Sequence, residues 1–258
     1  MKAFHMEKTH PERPLVVRQL RKTYPGETAP ALRDVDLHVD AGEALGLLGP
    51  NGAGKTTAIS IMSTLLRPDS GAVTICGIDI FKQTHRAKKH FGLVPQEIAL
   101  YPSLTCRENL HFFGRLAGLK GQHLKVRTEE CIDLVGLTAR AGKRVATFSG
   151  GMKRRANIAA GILHKPELLF LDEPTVGIDA QSRNMILEML ARLNQQGTGM
   201  IYTTHYMEEA QSLCSRVAII DQGEIIIQGS PLELTARYPG CTDLGGLFLL
   251  LTGKQLRD

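Results

Sequence analysis

The residues best suited to chemistry begin at Gly49-Pro50-Asn51-Gly52-Ala53-Gly54-Lys55-Thr56-Thr57, with the spacing G-x-x-x-x-G-K-T. In such a loop the glycines let successive backbone N–H groups converge on phosphate oxygens, Lys55 reaches the terminal phosphates, and the Thr56 hydroxyl ligates Mg2+. A second group lies downstream. Asp172 and Glu173 close the apolar run Leu168-Leu169-Phe170-Leu171, and His205 closes Met200-Ile201-Tyr202-Thr203-Thr204. A carboxylate at the carboxyl end of a strand stands where open α/β sheets bind ligands, so Asp172 can hold Mg2+ through its water shell, opposite Thr56. Side chains alternate along a strand, so Glu173 points elsewhere and is placed to polarise an attacking water. Gln96, after Phe91-Gly92-Leu93-Val94-Pro95, offers an amide oxygen to the ion or its water, and His205 can touch the last phosphate. An Asp-Glu pair alone is as often a helix cap or a turn, and a lone histidine is more often structural. The phosphate loop upstream is what favours the chemical reading.

The flanking elements have to position these groups. Ala44 to Leu48 is an apolar run suited to a buried parallel strand, and Ala58, Ile61, Met62 and Leu65 recur at helical spacing. The helix start then adds its positive dipole end to the phosphate site. Before them, Leu15 to Leu20 reads as a strand, and Val35, Leu37 and Val39 alternate with polar residues, so this sheet has one wet face. The turn Tyr24-Pro25-Gly26 places an aromatic ring just ahead of the phosphate loop, and after a break at Pro68 to Gly71 another antiparallel strand runs through Val73 and Ile75. From 97 to 165 helical periodicity takes over. Thr105 and Glu108 form a capping box for a helix ending near Gly118, a second runs from Thr128 to Leu134, and a third from Ser149 to about His164. The parallel pattern returns at Leu168, a helix around Ile186 to Leu193 stops at Gly197, and strands at Val217 to Ile220 and Glu224 to Gln228 precede a helix at Pro231. The fold class is therefore α/β, with an antiparallel flap and a helical insertion.

The chain has 258 residues, 43% hydrophobic and 22% charged, enough for one well-cored domain with a subdomain. Its net charge of +5 permits contact with phosphates, nucleic acid or an anionic membrane without choosing among them. The five cysteines are an odd number, with no C-x-x-C pair and no histidine at zinc-ligand spacing, and read as reduced thiols of a cytosolic protein. The run Leu247 to Leu251 is too short to span a bilayer, and the polar segment from Met1 to Arg13 lacks a signal peptide's apolar centre, so any membrane role comes through a partner. Arg140, Lys143, Arg144, Lys153, Arg154 and Arg155 form the most basic stretch, for which a solvated helical face competes evenly with contact to phosphate or membrane. Phe112 and Phe113 read as core.

The stretch Phe148-Ser149-Gly150-Gly151-Met152-Lys153-Arg154-Arg155 adds a second glycine-led helix start, again suited to phosphate. Two such sites for one nucleotide imply a head-to-tail pair. Taken in order with the phosphate loop, Gln96, Leu168 to Glu173, Gly177-Ile178-Asp179 and His205, it resembles the nucleotide-binding subunit of an ATP-binding cassette (ABC) transporter, over residues 15 to 230 or more. The resemblance implies a RecA-like P-loop NTPase core with a β flap and a helical subdomain. It divides the chain into a tail at 1–13, the ATPase domain at 14–238 with its helical part at 97–165, and an extension at 239–258.

It further implies a homodimer sandwiching two ATP molecules with Mg2+. Ser149, Gly150 and Gly151 act in trans, while Lys55, Thr56, Gln96, Asp172, Glu173 and His205 act in cis. Tyr24 matches the ring that stacks on adenine, and Asp179 the residue that couples the two sites. The usual opening Leu and closing Gln of the signature are Phe148 and Met152 here, and Ile178 replaces a Leu, changes that leave the phosphate donors intact. The Met152 to Arg155 ending, Tyr101 to Thr105 followed by Glu108-Asn109-Leu110, and Leu251-Thr252-Gly253 resemble ATPases of ABC-2-type exporters of drugs, lipids, polysaccharides or ions. That implies integral membrane permease subunits docked at Tyr101 to Leu110, peripheral attachment to the cytoplasmic face of the membrane, and no nucleic acid. The alternative is a soluble single-cassette ABC ATPase that remodels a protein or nucleoprotein scaffold. A nucleotide kinase or GTPase leaves Ser149 and His205 unexplained, and no Asn-Lys-x-Asp guanine reader is present.

Overall fold

The computed structural model describes residues 12–238 and 240–253, so the tail expected at 1–13 lies outside them except for Glu12 and Arg13. The chain opens with β1 (Leu15–Lys22) and β2 (Leu32–Val39), an antiparallel pair that buries Leu15, Val17, Leu20, Val35, Leu37 and Val39 and leaves Asp34 and Asp36 outside. That is the one-sided burial that strict alternation demands. β3 (Ala44–Leu48) enters the interior with all five residues buried, and α1 (Lys55–Met62) follows the phosphate loop. β4 (Ser70–Ile75) pairs with β1 and β5 (Ile78–Asp79) with β4, giving a four-stranded flap ordered β2-β1-β4-β5. Two-residue β5 is too short to carry a readable alternation. A single turn, α2 (Thr84–Ala87), leads into β6 (Phe91–Val94).

The helical insertion consists of α3 (Cys106–Leu116), α4 (Gly121–Leu134) and α5 (Gly150–Gly161). The capping box forms as read: the Thr105 hydroxyl accepts from the Glu108 N–H, and the Glu108 carboxylate accepts from the Thr105 N–H. α4 starts earlier than Thr128, at Gly121, whose φ of 54° turns the chain into the helix.

The core resumes with β7 (Leu168–Asp172), α6 (Ala180–Gln195), β8 (Gly199–Thr203), α7 (Met207–Leu213), β9 (Arg216–Asp221) and β10 (Glu224–Gly229), followed by α8 (Pro231–Arg237) and α9 (Leu244–Thr252). The second sheet is ordered β10-β9-β3-β8-β7-β6, parallel throughout except for β10 at one edge. Its strands separate two apolar layers. Leu45, Leu47, Leu168 and Phe170 pack with α1 and the flap, whereas Ala44, Leu48, Leu169 and Leu171 pack with the helical insertion. Each such large side chain contributes roughly 1.5–3 kcal/mol on burial, so continuous apolar runs persist only where both faces are covered.

α9 contains the Leu247 to Leu251 run. Asp243 caps it, Gly253 closes it at a φ of 63°, and Leu244, Leu247 and Phe248 are buried against α7 and α8. No helix among the described residues is long and apolar enough to cross a membrane. Arg154, Arg155 and Phe112 depart from what their types suggest. Arg154 is no solvated residue but 6% exposed, and Arg155 is half-buried with its guanidinium on the carbonyls of Val135 and Gly136. Phe112 is not core but 38% exposed, its ring edge-on to Tyr101 and Phe113, because α3 lies at the periphery of the insertion.

Candidate functional site

The phosphate loop is shaped by what stands behind it. A Cβ on Gly49 would lie 2.2 Å from the Ile220 carbonyl of β9, and Gly54 enters α1 at a φ of 108°, so both positions need glycine. Gly54 brings no capping side chain and α1 has no acidic residue in its first turn, which leaves its N–H groups open for an anion. Pro50 accepts from the Ala53 N–H, and the Ala53 carbonyl accepts from Gly223, pinning the loop to the β9–β10 turn. Lys55 folds back, its Nζ donating to the carbonyls of Gly49 (2.6 Å) and Pro50 (3.1 Å). Burial pushes its pKa down, while the charges of Glu173 and Asp172 pull it back up.

In front of the loop lies a cleft of about 500 Å3. Asn51, Gly52, Thr56 and Thr57 line it together with Tyr24, Gln96, Glu173 and His205. The Tyr24 hydroxyl is 3.2 Å from Thr57 Oγ1. Glu173 Oε2 accepts from Gln96 Nε2 at 3.0 Å and stands 3.5 Å from His205 Nδ1. Glu173 itself has a φ of 47°, a left-handed conformation that costs a non-glycine residue about 1–3 kcal/mol and persists only where the surroundings enforce it. Thr203 does so, accepting the Glu173 N–H on both its carbonyl (3.2 Å) and its hydroxyl (2.9 Å). The same hydroxyl donates to Asp172 Oδ1 at 2.7 Å. Asp172 and Glu173 therefore diverge, as strand alternation requires, and the left-handed turn sharpens the divergence.

Ser149, Gly150 and Gly151 do not line this cleft. The Ser149 hydroxyl caps α5 by accepting from the Met152 N–H at 3.3 Å, and Gly150 approaches the Gly177 carbonyl. A Cβ on Gly151 would meet the Ser182 hydroxyl at 2.1 Å, so the starts of α5 and α6 lie side by side. Asp179 caps α6, accepting from the Ser182 N–H and hydroxyl at 2.8 Å each, contacts that hold its carboxyl below the usual range.

Three contributors escaped the sequence reading. Thr203 is the pivot described above. Arg154 donates to the carbonyls of Gln96 and Pro95 and reaches that of Val176, so α5 tethers the Gln96 loop; burial lowers its pKa against the pull of Glu173. Its burial has a sequence signal, since Gly151, Arg154, Asn157 and Gly161 all face inward at helical spacing. Glu209 accepts from the hydroxyls of Tyr202 (2.7 Å), Thr175 (2.8 Å) and Thr204 (2.8 Å), and Arg183 pairs with it while covering the Tyr206 ring at 4.4 Å. This buried network fixes the turn from β8 to α7 that carries His205.

A cleft with an uncapped helix start, a lysine and Glu173 beside Gln96 and His205 suits nucleotide phosphates; Asp172 is buried at the end of β7 and does not itself line the cleft. Comparison with known proteins agrees. The family model described as ABC transporter matches residues 32–176. The linearmycin resistance ATP-binding protein LnrL of Bacillus subtilis is 52% identical over 228 residues, 88% of this chain and 73% of that protein. The doxorubicin resistance ATP-binding protein DrrA of Mycobacterium tuberculosis is 40% identical over 244 residues, 95% of this chain and 72% of that protein. Among solved structures, a dimeric post-hydrolysis state of an ATP-binding cassette bound to ADP and Pi is similar, with a TM-score of 0.76 and 26% identity over 84% of this chain and 98% of that one. With the fold, the cleft and these relatives in agreement, the chain belongs to the ABC transporter family and is an ATP-binding subunit with ATPase activity.

Proposed function

We propose that two copies of this ATPase close head to tail on two ATP molecules, open on hydrolysis, and so drive export through separate ABC-2-type membrane subunits. The observation that carries this reading is the split site: Lys55, Thr56, Gln96, Glu173 and His205 share one cleft, whereas Ser149 to Gly151 stand outside it beside Asp179. A head-to-tail pair lets each copy complete the other's cleft. The dimeric structural relative supports the pairing, and both sequence relatives, being named as resistance proteins, support export.

Within the closed pair Tyr24 stacks on adenine, Gly49 to Thr57 cradle the phosphates, and Glu173 takes the proton of the attacking water, which His205 helps to orient. Thr56, Gln96 and Asp172 form an all-oxygen donor set that fits Mg2+, with Asp172 already oriented by Thr203. The ion supplies positive charge to the phosphate oxygens. Asp179, beside Ser149 to Gly151, couples the two sites.

The membrane subunits dock on the exposed side chains of Tyr101, Phe112 and Leu116, which places the chain on the cytoplasmic face of the membrane. Asn109 on α3 accepts from the Tyr101 N–H and Asn157 on α5 accepts from the Ala99 N–H, so motion at the docking surface reaches the Gln96 loop. In this reading 14–238 forms the ATPase domain, with 97–165 as its helical part and 239–258 appended.

Complementation tests the pairing. Lys55→Ala and Ser149→Arg are each inactive alone, and mixing them restores hydrolysis; failure of every mixture argues for a site within one chain. Purification of the chain from membranes recovers an integral membrane protein, whereas recovery of only ribosomes or scaffold proteins supports a soluble remodelling ATPase.

A further inference from the structure

At the end of the sheet opposite the cleft, three side chains from separate segments converge. Cys76 follows β4, His90 precedes β6 and Glu167 precedes β7. A thiol sulfur, an imidazole nitrogen and a carboxylate oxygen, one from each, all lie within 4.8 Å of one another. His90 Nδ1 is 3.3 Å from Glu167 Oε2. The backbone holds all three in place. The His90 carbonyl accepts from the N–H groups of Glu167 (3.0 Å) and Leu168 (3.1 Å), and the Cys76 N–H donates to the Pro14 carbonyl at 3.0 Å. Cys76 occupies the left-handed region at a φ of 49°. Glu167 is buried at 8% exposure, and the His90 side chain, 33% exposed, is where solvent reaches the group.

We propose that Cys76, His90 and Glu167 form a Zn2+ site that clips the antiparallel flap to the core sheet. The donor set selects the ion. Sulfur and imidazole are poor ligands for Mg2+ or Ca2+, which take oxygen, whereas one sulfur, one nitrogen and one oxygen suit Zn2+. Ligands at about 2.0–2.3 Å from zinc stand roughly 3.3–3.7 Å apart in a tetrahedron, so the His90–Glu167 pair is already at ligand separation and the sulfur, no more than 4.8 Å from either, closes by at most about 1 Å. Water reaching the half-exposed histidine supplies the fourth ligand. Binding releases the thiol proton to solvent as the thiolate forms. The clip joins the flap to the starts of β6 and β7, the strands whose far ends carry Gln96 and Glu173.

Other thiols do not confuse the assignment. Burial pushes Cys106 and Cys131 each up to about 11 and Cys214 higher still, so near neutral pH they stay protonated, and Cys241 is removed by substitution. The experiment uses nucleotide-free, metal-stripped protein without a histidine tag, titrated with Co2+ as a spectroscopic probe and then with Zn2+. The expected result is a thiolate-to-cobalt charge-transfer band that saturates at one ion per chain, is bleached by Zn2+ and survives Cys241→Ser. Cys76→Ser abolishes the band. His90→Gln and Glu167→Gln each weaken Zn2+ binding by about tenfold or more and reduce the rise in Tm that Zn2+ produces in the wild type. Should Cys76→Ser fold poorly, Cys76→Gly suits the left-handed backbone and must also lack the band. Absence of the band in the wild type, its survival without Cys76, or equal Zn2+ affinity in the His90 and Glu167 variants overturns the site and leaves the His90–Glu167 pair as a structural contact only.

Discussion

α1 and α5 both begin at glycine-rich turns, but they are finished differently. α1 is entered through Gly54, which has no side chain to cap it, and its open N–H groups are enclosed by Lys55, Gln96, Glu173 and His205. α5 is entered through Ser149, whose hydroxyl satisfies the Met152 N–H, and Ser149 and Gly150 are exposed and lie outside the cleft in front of α1. The first start opens its uncapped N–H groups into a cleft that suits phosphate; the second caps one N–H with its own Ser149 hydroxyl and lies on an exposed surface outside that cleft. Arg154, on the same helix as Ser149, ties the second region to the first through the Gln96 carbonyl.

The sharpest way to break the comparison is at the enclosing wall. Glu173→Gln is expected to lower the rate of phosphate release by about 10²–10⁴-fold while ATP stays bound and the dimer stays closed, because the phosphate contacts survive. Wild-type turnover would show that Glu173 is not the base.

Next, the two helix starts should separate binding from turnover. Lys55→Ala removes charge-assisted hydrogen bonds worth about 1.5–3 kcal/mol each, so the Kd of the single chain for ATP should rise by at least tenfold. Ser149→Arg should leave that Kd unchanged and still abolish hydrolysis. Equal loss of ATP affinity in both would mean that the two starts serve one chain.

Arg154→Ala tests the tie. It strips a charged donor from buried carbonyls and should cost about 2–3 kcal/mol in chemical unfolding, with slower turnover at unchanged ATP affinity. An unchanged unfolding midpoint would mean that the Gln96 loop is held by other contacts.

The smallest effect is expected at Thr203→Val, which keeps the shape but loses the hydroxyl bonds to Asp172 and Glu173. Stability should fall by about 1 kcal/mol, and the Mg2+ concentration needed for half-maximal hydrolysis should rise several-fold.

What was legible in the sequence was local. The loop at Gly49 to Thr57, the apolar strands and the Thr105 capping box rest on contacts within a few residues, and all appear where their spacing places them. The errors arose where distant neighbours decide. Arg154 sits in a Lys-Arg-Arg run that reads equally as a solvated face or as a contact to phosphate or membrane, yet carbonyls from the Gln96 and Val176 loops replace its water. Phe112 has the character of core, yet its ring is 38% exposed on α3, edge-on to Tyr101 and Phe113. Glu209 carries no motif and is explained only by hydroxyls from β8 and its flanks.

By itself the sequence determined the phosphate loop and the α/β class, because convergent backbone N–H groups and apolar periodicity are properties of contiguous residues. The tertiary structure alone decided which separated groups meet. Parallel strand pairing carries Gln96, Glu173 and His205 to one end of the sheet and leaves Ser149 outside the cleft. At the other end the same pairing sets His90 beside Glu167 and brings Cys76 over from the flap, a grouping that no spacing along the chain announces, because register and sheet packing place it.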